Sequence, residues 1–93
     1  EYRLAMTLLA LGRPAEAAAH ARACLEGCEE HQAGADELLF AHEAVARAAA
    51  AASHPEAAAA ARARVAALVE QVDPSLRDLA RETLQRLDAA LRS

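Results

Sequence analysis

The chain has 93 residues, a formal charge of −4 and a hydrophobic content of 55%, which suits one domain with one modest core. Its 14 acidic residues outnumber 10 basic ones, and the arginines are scattered from Arg3 to Arg92, so no concentrated cationic face exists and a nucleic-acid surface is excluded. No apolar run reaches the length that spans a bilayer. Alanine supplies much of the apolar content, with one Phe, one Tyr and no Trp; small side chains favour helices and close helix approach but each buries little area. All the basic residues are Arg, and Lys, Asn and Ile are missing, which fits GC-rich codon usage and a bacterial source. The chain opens without Met, as expected of a trimmed chain, one freed from a cleaved tag or an excised domain. No signal peptide opens at Glu1-Tyr2-Arg3, and two cysteines without an export signal fit a reducing cytoplasm, the expected location.

The first helix is expected over Glu1 to Leu11, with Tyr2, Met6 and Leu9 on one side and Leu4, Leu8 and Leu11 on the next. Apolar nearly all round, it predicts burial on more than one side. Gly12 ends it and Pro14 starts the second helix, the usual asymmetry of Gly after an end and Pro at a beginning. The second helix is expected to reach Glu30, with Ala17, Ala21, Cys24, Leu25 and Cys28 as its inner stripe. A loop at Gln32-Ala33-Gly34-Ala35 leads to Asp36, read as the N-cap of a third helix that carries Leu38, Leu39, Phe40 and Val45 to Ala52. Ser53 and Glu56 match a capping box for a fourth helix running to Val72. Asp73-Pro74 restarts the chain as cap and first helical residue. The fifth helix places Leu76, Leu79, Ala80, Thr83, Leu84, Leu87 and Leu91 on one stripe and its charges elsewhere, which gives it a wet outer face. Period-two alternation is absent, so no strand is expected.

The two Pro breaks stand in register. Pro55 lies 41 positions after Pro14, and the same offset carries Leu4 to Val45, Ala5 to Ala46, Gly12 to Ser53 and Ala17 to Ala58. These residues, a large-small pair, a turn and then an Ala, resemble the pattern of the tetratricopeptide-repeat family. The resemblance spans nearly the whole chain: one unit over 1–31, a second over 36–72 and a capping helix over 74–91. The spacing departs from the usual repeat of about 34 residues and is similar to that of longer-helix bacterial variants. Glu1 and His42 stand where the early aromatic belongs, and Leu8 and Ala49 replace the later one.

The resemblance implies an all-α fold of antiparallel hairpins in a right-handed superhelix. It also implies a noncatalytic function, the capture of a protein or peptide partner in a concave groove lined by Tyr2, Met6, Leu9, Phe40, Glu43 and Arg47. A second expectation is a structural domain in which the same apolar side meets its own copy in a homodimer. A third is a metal-responsive sensor. His20, Cys24, Cys28 and His31 share one arc of the second helix, but four ligands on one straight helix span about 16 Å, whereas zinc gathers its ligands at about 2.0–2.3 Å. Two neighbours at most share an ion, so core packing is the favoured role of the cysteines, and no metal or cofactor is expected. No phosphate loop or nucleophile elbow is present, so no enzymatic activity is expected.

Overall fold

A computed structural model of the chain describes residues 2–92. Five α-helices follow one another: α1 (Tyr2–Ala10), α2 (Pro14–Glu30), α3 (Ala35–Ala51), α4 (Pro55–Val69) and α5 (Arg77–Arg92), the last entered through a 3-10 turn at Pro74–Leu76. No strand occurs among the described residues. The fold is therefore all-α, as expected, and none of its helices is long and apolar enough to cross a membrane. The expected first residue of α1, Glu1, lies outside the described residues.

The corners carry the register. After α1 the Arg13 amide donates to the Leu8 carbonyl at 2.9 Å and the Gly12 amide to Leu9 at 3.1 Å. After α3, the His54 amide donates to Ala49 at 2.8 Å and the Ser53 amide to Ala50 at 3.1 Å. Both are the paired bonds that close a helix around a left-handed residue, here Gly12 at φ 72° and Ser53 at φ 63°. Arg13 and His54 then leave at φ/ψ of −118°/65° and −113°/75°, and Pro14 and Pro55 open the next helices. The two corners have one geometry. The end of α2 closes likewise around Gln32, at φ 51°.

This geometry overturns the capping box. Ser53 belongs to the end of α3, the N-cap of α4 is His54, and no side chain caps that end. A Ser can cap only from an extended backbone, and the left-handed conformation at Ser53 removes that option. At α3 the N-cap is Gly34 rather than Asp36; Asp36 lies within the first turn, where its charge still favours the positive end of the helix. Asp73 does cap, accepting from the Ser75 amide at 2.9 Å and the Ser75 hydroxyl at 2.7 Å, which hold its carboxyl below the usual range. Helix α4 stops at Val69 rather than Val72, though Val72 remains buried.

α3 is the hub: it alone packs against all four other helices. On one side Ala44 and Ala48 meet Ala5, Leu8, Ala17 and Ala21 of α1 and α2. On the other, Leu39 and Ala46 meet Val65, Val69, Val72, Ala80 and Leu87 of the α4–α5 side. Ala5 and Ala46, one register apart, are both 0% exposed. Along the first helix and its end, however, the expected burial on two sides is not met: Leu8 is buried, but Leu4 is 42% exposed and Leu11, just past α1, 63%. Cys24, Leu25 and Cys28 are half-buried, so the tight stripe of α2 is Ala17 and Ala21.

Candidate functional site: an alanine-rich groove

Equivalent positions of α1 and α3 line one groove. Met6, Leu9 and Ala10 come from α1, and Arg47, Ala50 and Ala51, each 41 positions on, come from α3. Ser53 of the corner, Pro55, Ala58 and Ala59 of α4, and Ala90 and Leu91 of α5 complete a cavity of about 960 Å³. Alanine makes up half of this lining, so its surface there is low and apolar. The volume sits at the upper end of the range usual for ligand clefts, about 300–1,000 Å³.

Among the described residues Arg47 is the single charged side chain in this lining. Its Nε donates to Oε2 of Glu43 at 2.8 Å, an i, i+4 pair that one helical turn brings together. Glu43 is 4% exposed, and its Oε1 accepts from the Tyr2 hydroxyl at 2.7 Å. A carboxylate at that depth needs such charge-assisted bonds to offset its lost hydration. Burial first, and then the bond to Glu43, push the Tyr2 phenol well above its ordinary pKa, so it remains a donor to Glu43 well into the alkaline range. The Tyr2 ring also meets Phe40 edge to face, with centroids 5.7 Å apart and planes at 72°, a favoured aromatic geometry.

The six residues expected at the groove thus divide by role. Met6, Leu9 and Arg47 line it. Tyr2, Glu43 and Phe40 form a knot that pins α1 to α3 and orients Arg47 from behind. Phe40 also borders a separate cavity of about 150 Å³ with Leu39, Leu76 and Leu79. Sequence reasoning missed Ala50 and Ala51, and with them Ala10, Ser53, Pro55, Ala58, Ala59, Ala90 and Leu91. The repeat register carried a signal for the first two, since Leu9 and Ala10 map onto them.

Cys24 and Cys28 are free thiols, both half-buried. Burial, and then the neighbouring Cys24, push the Cys28 thiol up, which disfavours the thiolate that metal binding and nucleophilic chemistry require. His20 is half-buried and His31 exposed. Among the described residues no three His, Cys, Asp or Glu side chains lie together in a way that would hold a metal ion.

Compared with models of protein families, with curated proteins and with solved structures, the chain matches none.

Proposed function

We propose that this chain is a noncatalytic protein-interaction module of tetratricopeptide-like architecture, a right-handed stack of helical hairpins whose groove holds a peptide or helix of a partner protein. The observation that carries the reading is the groove itself, an apolar trough lined by register-matched positions of α1 and α3 with one oriented cation, Arg47. The common geometry of the corners at Gly12 and Ser53 supports the repeat on which the architecture rests. Apolar sides give a partner area to bury, and a single guanidinium fixes the position of one acceptor without charging the rest of the trough.

Selection of peptides from a displayed library, followed by direct binding to a double variant, Met6→Asp with Leu91→Asp, tests this. Selected peptides should lose at least about tenfold in affinity, equivalent to about 1.4 kcal/mol, while the helical circular dichroism is retained. Equal binding to the variant, or a selection that enriches nothing, refutes the groove.

A further inference from the structure

The guanidinium of Arg47 is held at one end and open at the other. Its Nε donates to Glu43 at 2.8 Å, and among the described residues its two terminal nitrogens have no hydrogen-bond partner. The side chain is 22% exposed and borders the groove. Glu43 is buried and itself fixed by the Tyr2 hydroxyl, so the anchor at Nε sets where the terminal edge stands. That edge offers parallel N–H groups, a match for the two oxygens of a carboxylate. Among the described residues no carboxylate borders the groove, and Ser53 is the only other lining residue with a polar side chain.

We propose, on the footing that the groove is the partner site, that the partner segment seats an aspartate or glutamate side chain on Arg47, with apolar side chains along the rest of the trough. Charge complementarity selects this occupant. A neutral amide brings no counter-charge to a guanidinium that the partner would strip of water. A phosphate brings about −1.5 to −2 charges to a lining with one cation, and Glu43, one turn from Arg47, repels the excess. A chain-terminal carboxylate carries its own amide into an apolar lining, where an unpaired polar group is costly; Ser53 lies six positions on, about 9 Å at the helical rise. An acidic side chain matches the charge and the two-oxygen edge, reaches Arg47 on its methylenes and leaves its amide outside.

Two random peptide libraries test this, one displayed between fixed flanks and one with free carboxyl termini. The flanked library should enrich sequences with an acidic residue among apolar ones. Replacing that acid by its amide in the synthetic peptide should weaken binding at least about tenfold, the scale of a hydrogen bond to a charged group. Glu43→Gln with Arg47→Gln leaves no lone buried charge, and this double variant should bind the acidic peptide at least about tenfold more weakly than the parent and no better than it binds the amide peptide. Should the double variant lose its helical circular dichroism, the exchange in the peptide still decides, because it leaves the protein untouched. Peptides that respond to Met6→Asp with Leu91→Asp but bind equally well as acid and amide overturn the acidic anchor and leave the groove standing. Enrichment confined to free carboxyl termini does the same, and a selection that enriches nothing removes groove and anchor together.

Discussion

The two flanks of α3 are held by different means. On the α4–α5 flank, bulk does the holding: Leu39, Leu87 and Val65 are the largest fully buried side chains in the molecule. On the α1–α2 flank the buried apolar side chains clustered among the described residues are Ala5, Ala17, Ala21, Ala44 and Ala48 with only Leu8 larger, and the hydrogen bonds of Glu43 to Tyr2 and Arg47 supplement them. Alanine lets helices come close but removes little area from water, so a thin apolar layer needs a directional tie and a thick one does not. The thick side has a polar tie as well, Arg62 to Asp88 at 2.8 and 3.0 Å, but those side chains are 40% and 30% exposed, where an ion pair adds little.

Breaking each flank at its own point exposes the contrast. Leu87→Ala should cost the most, about 3–4 kcal/mol in denaturant unfolding, because it leaves a cavity among side chains that cannot close on it; amide exchange should accelerate first in α4 and α5. Glu43→Ala should cost about 2–3 kcal/mol, less than a fully buried pair because Arg47 can turn its charge to water, and should accelerate exchange in α1 and α2 instead. A Glu43 variant that loosened both flanks equally would show that the tie is not local. Tyr2→Phe keeps the ring against Phe40 and removes one bond to a carboxylate, so about 1–2 kcal/mol should be lost from α1 alone. Ser53→Gly should raise stability by about 0.5–1 kcal/mol by relieving a left-handed non-glycine residue, bringing the second corner level with the first.

The smallest effect is pH-dependent. Burial first, and then Arg64, lower the pKa of His42, with Glu29 opposing. The folded state therefore favours the neutral ring, and its contribution is complete above the unfolded pKa of about 6.5 and is lost as pH falls through the lower folded value. His42→Gln should flatten the stability profile in that window. Asp73 and Asp88, both held low by their hydrogen bonds, add losses of the same sign only below about pH 4.

The helices were legible because their boundaries are chemical: Pro14, Pro55 and Pro74 can only begin a helix, and Gly12 adopts the left-handed turn without strain. The corner at Ser53 was misread for the same local reason. Serine followed three residues later by glutamate describes a cap in the chain's own vicinity, while the backbone of Ser53 is set by the end of α3 and by the proline two residues on. The groove was half legible. Its large side chains on α1 declare themselves, but half of its lining is alanine in a chain full of alanine, and only the register distinguishes Ala50 and Ala51 from their neighbours. The knot behind it joins Tyr2 to Glu43 across 41 positions, and no local pattern announces such a pair.

Because α3 touches every other helix, the span between Met6 on α1 and Leu91 on α5 is governed by the curvature of one 17-residue rod. Any change in the curvature of α3 would move both sides of the groove together, as the hinge of a pair of tongs moves both jaws. A donor and acceptor dye placed at those two positions would act as a caliper on α3.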